Sequence, residues 1–134
     1  MSLQTSPLLR STLAGILGSI VYGGWAMYAN SGHGDAIALR SGLVQGSYSL
    51  AITFAMTLVS EWLFLAFAVV PGRVFVTAAV VSGVLFTSSY GIHHIVGTPE
   101  ILMTIVPGYV IGSVYTVVYL LGLQRQERLL SLST

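Results

Sequence analysis

Three apolar stretches of about twenty residues or more, with a fourth at the N-terminal end, occupy most of this chain, and each can cross a hydrocarbon layer of about 30 Å. Backbone N–H and C=O groups find no water in such a layer, so the stretches must close their hydrogen bonds within helices or a sealed barrel. Their length, without two-residue alternation, predicts helices. Composition agrees: 7% of residues are charged and the mean hydropathy is +0.86, whereas about 25% are charged in an ordinary soluble domain. The chain therefore reads as a single all-α domain over residues 1–134, an integral membrane four-helix bundle built as two antiparallel helical hairpins.

Breakers set the expected boundaries. Helices are predicted over residues 9–29, 42–70, 74–90 and 99–123, followed by a short cytoplasmic tail, 124–134, with an amphipathic pattern suited to the membrane interface. The polar run Asn30-Ser31-Gly32-His33-Gly34-Asp35 opens a first loop extending to Ser41. The second stretch, at about 1.5 Å per residue, would reach about 42 Å, so it must tilt or project from the membrane at Gln45–Ser49. Pro71-Gly72-Arg73 is short enough only for a tight turn. A third loop is expected over Gly91 to Thr98. Thr98-Pro99-Glu100 reads as a helix start, with Thr98 as N-cap, Pro99 where no N–H is needed and Glu100 at the positive end of the dipole. Pro107-Gly108 should free a carbonyl one turn earlier and bend the fourth helix.

The charges that remain orient the protein. All five basic residues are arginine. Arg10, Arg73, Arg125 and Arg128 flank one face and only Arg40 the other, which places both termini in the cytoplasm of a cell inner (plasma) membrane protein. The first stretch reads as a retained helix, since Met27 spoils an A-x-A cleavage site ending at Ala29. The net charge of +1 offers no basic face for nucleic acid, so the expected partners are the lipid bilayer and either further copies of the chain or a larger membrane complex. The absence of cysteine excludes thiol catalysis, disulfides and Fe–S clusters.

Against that background Glu61 stands out. It lies ten residues before Pro71, roughly 15 Å along a helix and near the expected bilayer middle. An unpaired charge there costs at least about 2.5 kcal/mol, so the carboxyl should face protein or water, and it is the candidate for proton exchange. At about 100° per residue, Gln45, Ser49, Thr53, Thr57, Ser60 and Glu61 fall within an arc of about 160°. They form one polar strip from the outer surface to the membrane centre, with Trp62 beside its end. Such a strip can line a hydrated path, or it can be hydrogen-bonding glue between helices.

A second constellation gathers where the loops emerge: His33, Asp35, Arg40, His93, His94 and Glu100. Imidazole and carboxylate suit Zn or Cu, and paired histidines suit haem, with His33, His93 and His94 as candidate ligands. The spacing matches no metal motif and Glu100 already has a capping role, so no cofactor is the main expectation. Small residues recur every four positions at Gly15, Ser19 and Gly23 and at Thr104, Gly108, Gly112 and Thr116, patterns that let helices approach closely, within one chain or between copies. G-x-S-x-G, P-loop and H-E-x-x-H patterns are absent, which favours a non-enzyme. The leading reading is an oligomeric transporter or channel-like protein for a small solute, ion or lipid headgroup, coupled to protons at Glu61. A non-catalytic subunit or partner-binding protein of a larger membrane complex comes second. A lipid-acting enzyme or a metal- or haem-binding membrane protein comes third.

Overall fold

A computed structural model of the chain describes residues 7–132, with the side chains of Pro7, Leu8, Arg10 and Ser11 left aside. The orienting role expected of Arg10, and the last two residues of the tail, lie outside this description. The described residues form four α-helices: α1 (Pro7–Ala29), α2 (Asp35–Ala66), α3 (Arg73–Val96) and α4 (Ile101–Leu132), with a 3-10 turn at Ser31–His33. By length and composition three of them, α2, α3 and α4, are able to cross a membrane. α1 falls outside that set. It is 23 residues long.

The helices run past most of the boundaries expected from the sequence. The first connection is confined to Asn30–Gly34, where Gly34 at φ +97° redirects the chain, and α2 starts at Asp35 rather than residue 42. A carboxylate in that first turn suits the positive helix end. α2 stops at Ala66 rather than residue 70, and a series of turns leads through Pro71, which disfavours helix in the residue before it, to Gly72 at φ +69° and the start of α3. α3 passes through Gly91 to Val96, so His93 and His94 are helical residues and not part of a loop. Its true stop is Gly97, at φ +75°: the Gly97 N–H reaches the His94 carbonyl at 3.2 Å and the Thr98 N–H the His93 carbonyl at 2.9 Å. That is the paired-bond Schellman termination, which needs the left-handed conformation glycine adopts without strain.

α4 begins at Ile101, and Thr98 does not cap it. The cap comes from the first connection, since Asn30 Oδ1 accepts the Glu100 N–H at 3.0 Å. At its other end α4 continues to Leu132, so residues 124–132 prolong the helix and are not a separate tail. Pro107 sits inside α4, and the carbonyl it releases, that of Met103, accepts the Trp25 indole N–H at 2.7 Å. A neighbouring helix thus satisfies the group that proline frees.

Contacts are most extensive between α1 and α2, then between α3 and α4, then between α2 and α3. The α1–α2 contact depends on glycine. A Cβ on Gly23 would stand 2.9 Å from the Gly42 carbonyl oxygen, and one on Gly46 would stand 3.0 Å from the Ser19 carbonyl oxygen. The small-residue row Gly15, Ser19 and Gly23 is therefore used within the chain. So is the row on α4, where Thr104 and Thr116 are buried and the Cβ positions of Gly108 and Gly112 face Gln45 and Tyr22, and Leu85.

Buried groups divide the molecule lengthwise. Near the Asn30–Gly34 and Gly97–Glu100 connections, here the polar end, the buried residues include Asn30, Ser41, Gln45, His93, Thr98 and Thr104. Near the Phe67–Gly72 connection, here the arginine end, Phe64, Val74, Ala78 and Leu120 form an apolar cluster. Leu63, Val81 and Leu85 form a second one.

Candidate functional site

At the polar end the side chains close on one another. Asn30 Nδ2 donates to the Ala26 carbonyl at 2.9 Å and to Thr104 Oγ1 at 2.8 Å. The Thr104 hydroxyl in turn donates to the Glu100 carbonyl at 2.7 Å. His93 is fully buried, with Nδ1 2.8 Å from Thr98 Oγ1 and Nε2 2.8 Å from Gln45 Oε1. With an amide carbonyl as acceptor, the neutral ring carries its proton on Nε2 and accepts the Thr98 hydroxyl at Nδ1. Both ring nitrogens are then satisfied. Arg40 donates to the Gly97 carbonyl at 3.2 Å, and the exposed His33 stands 3.1 Å from Glu100.

The six residues expected as an outer cluster are thus divided. His33 meets Glu100, Arg40 meets the end of α3, Asp35 lies in the first turn of α2, His93 faces inward, and His94 stacks on Tyr90 with ring centroids 6.2 Å apart. Among the described residues no three metal-ligating side chains converge, and His33, His93 and His94 each have a different neighbour.

The polar strip on α2 is also divided. Gln45, Ser49 and Ser60 are buried. Thr53 is exposed and returns its hydroxyl to the Ser49 carbonyl at 2.7 Å, the local bond that threonine often makes in a helix. Thr57 is half-buried and Trp62 is 68% exposed. Gln45 is closed in by His93 of α3 and by Gly108 of α4. A groove of about 300 Å³ lies elsewhere, lined by Ser82 of α3 and Ser113, Val114, Val117 and Val118 of α4.

Glu61 is half-buried and accepts a hydrogen bond from the Tyr119 hydroxyl of α4. It stands five residues before the end of α2 at Ala66, roughly 8 Å by the helical rise, so it lies closer to the arginine end than the distance to Pro71 suggests. Of the other acids, Asp35 lies in the first turn of α2 and Glu100 just before α4, while Glu127, like Glu61, lies five residues before the end of its helix. Glu127 pairs with Arg73, whose guanidinium also covers the Phe64 ring 3.9 Å from its centroid. Arg73 is therefore committed away from Glu61, and among the described residues no ion pair reaches that carboxylate. Tyr119 stacks on Tyr115 with centroids 5.9 Å apart and planes at 11°.

Tyr119, Asn30 and the donor role of Trp25 escape a reading of local pattern. Tyr119 and Tyr115 read as interfacial aromatics, and Asn30 as a turn residue. Pro107 did carry a signal for Trp25, because a freed carbonyl in lipid requires a donor from a neighbour.

No family model matches this chain, and neither a curated protein nor a solved structure is significantly similar to it.

Proposed function

We propose that the chain is a multi-pass protein of the cell inner membrane, a four-helix bundle with both termini in the cytoplasm, acting as an oligomeric transporter or channel-like protein for a small solute, ion or lipid headgroup. Glu61 is the group that takes up and releases the coupling proton. The observation supporting this reading is the bond from Tyr119 to Glu61, which joins two apolar helices through a carboxyl that has no cationic partner among the described residues. An ionised carboxylate only accepts hydrogen bonds and suits the phenol donor; a protonated one gives up acceptor capacity and becomes a donor itself. Protonation therefore changes how strongly α2 is tied to α4, and that is the kind of local event that biases a two-state element. The test is solute-driven proton flux in liposomes. Glu61→Gln keeps a carbonyl acceptor for Tyr119 but cannot carry the proton, so flux in this variant should fall to that of protein-free vesicles.

The second reading, a non-catalytic subunit, draws on a different observation. Ala79, Gly83 and Thr87 form an exposed small-residue row on α3, and a Cβ on Gly83 would meet nothing within 4 Å. Such a face accepts another helix closely. If the purified protein carries no flux and a membrane partner is released by Gly83→Leu, this reading replaces the first.

A further inference from the structure

We infer that Glu61, Tyr119 and Tyr115 form a binding site for a net cation carried on an apolar body, entered from the lipid-facing side; this rests on the reading of Glu61 as a functional group. The carboxylate is half-buried, its one hydrogen-bond donor among the described residues is a neutral phenol, and the nearby Arg73 is engaged by Glu127 and Phe64. A carboxylate in apolar surroundings lacks compensation in that state, and a bound cation supplies it.

The aromatic neighbours suit the same ligand. Tyr115 is 57% exposed and stacks on Tyr119, so one ring lies beside the carboxylate and the other leaves surface open one helical turn away. Tyrosine faces attract cations, and most strongly where water is absent. The surroundings select further. Leu58, Trp62 and Val118 are large, apolar and exposed, so a ligand approaching from this side passes through hydrocarbon. A hydrated metal ion would have to shed its water without a ligand set to replace it, whereas an alkylammonium or arylphosphonium ion brings its own apolar body. Arg73, the basic residue beside Phe64, is held by Glu127 and does not offer its charge to the phosphate of a zwitterionic phospholipid.

The experiment is equilibrium dialysis of tetraphenylphosphonium against the full-length protein in a neutral detergent. Saturable binding is expected, weaker by about tenfold or more in Glu61→Gln and by about fivefold in Tyr115→Leu. A long-chain alkylammonium should displace the probe, while an uncharged tetraphenyl analogue and phosphatidylethanolamine should not. Equal affinity in Glu61→Gln, or displacement by the uncharged analogue, would show partition into an apolar surface and overturn the proposal. Displacement by phosphatidylethanolamine as effective as that by the alkylammonium would overturn the requirement for net positive charge. Absence of saturable binding also overturns it. Glu61-dependent proton flux persisting beside that absence would leave the proton-coupled reading standing without this ligand class, whereas loss of both would remove both.

Discussion

The two ends of the molecule are held together by opposite means. At the polar end the buried groups are amides, hydroxyls and an imidazole, and Asn30, Gln45, His93, Thr98 and Thr104 are tied into hydrogen bonds between elements. At the arginine end Phe64, Val74, Ala78 and Leu120 form a buried apolar cluster. The hydroxyls buried in this half, Ser60, Thr77 and Thr116, make no hydrogen bond to another helix among the described residues. The ties between helices lie around the cluster, with Arg73 on Glu127 and Tyr119 on Glu61. A satisfied polar network specifies one arrangement, because each lost partner leaves another buried group unpaired. A carboxyl with a single neutral donor at the margin of an apolar cluster carries no such obligation. The difference suggests a division of labour, with the polar end fixing the fold and Glu61 free to change state.

The contrast breaks first at the helix crossing that supports the polar end. In Gly42→Leu the added side chain would meet Met27, and its Cβ would stand 2.9 Å from the Gly23 carbonyl oxygen. Separation of α1 from α2 should cost about 3 kcal/mol, the upper part of the overpacking range, and the yield of monodisperse protein should drop sharply. A variant that unfolds at the wild-type temperature would show that the close approach is dispensable.

Asn30→Ala should follow. It removes donors to Ala26 and Thr104 and the acceptor for the Glu100 N–H, with an expected loss of about 2–3 kcal/mol from the groups left unpaired. Denaturant unfolding in mixed micelles reads this directly, and a loss below about 0.5 kcal/mol would contradict the network's role. Trp25→Phe keeps the packing and removes only the donor to Met103. About 1 kcal/mol is expected. Restoring the proline-freed carbonyl's ordinary partner with Pro107→Ala in the same chain should recover most of that loss; an undiminished effect of Trp25→Phe in the Pro107→Ala background would separate the two residues.

The smallest effect is expected at the arginine end. Arg73→Gln breaks a pair whose carboxylate is 44% exposed, and a partly exposed pair contributes about 0.5 kcal/mol. A loss several times larger would place a fold-determining contact at this end and erase the contrast.

Much of the architecture is legible in the sequence because hydrophobic length and breakers are local properties. The Pro71-Gly72 reversal and the presence of α2, α3 and α4 follow from them. Boundaries were less legible where a helix tolerates glycine: Gly91 continues α3 and Gly97 ends it, although the residue type is the same and only the backbone conformation differs. Thr98-Pro99-Glu100 has the composition of a helix start, but the acceptor for the Glu100 N–H comes from Asn30, far away in sequence. The candidate site shows the same limit. Glu61 stands out as the acid within an otherwise uncharged apolar stretch, whereas its partner Tyr119 is one aromatic among several until α2 and α4 are placed side by side. The strip from Gln45 to Glu61 follows helical geometry as expected, yet its exposure depends on neighbours, which separate Gln45, held by His93, from exposed Thr53.

The most direct measurement pairs stability with function in Glu61→Gln, using one preparation for both. Glu61 as a proton-exchanging group predicts unfolding within about 1 kcal/mol of wild type, since the amide still accepts from Tyr119, together with loss of solute-driven proton flux in liposomes. Wild-type flux in Glu61→Gln would contradict this, and so would a large loss of stability, which would make the carboxyl a tie between helices.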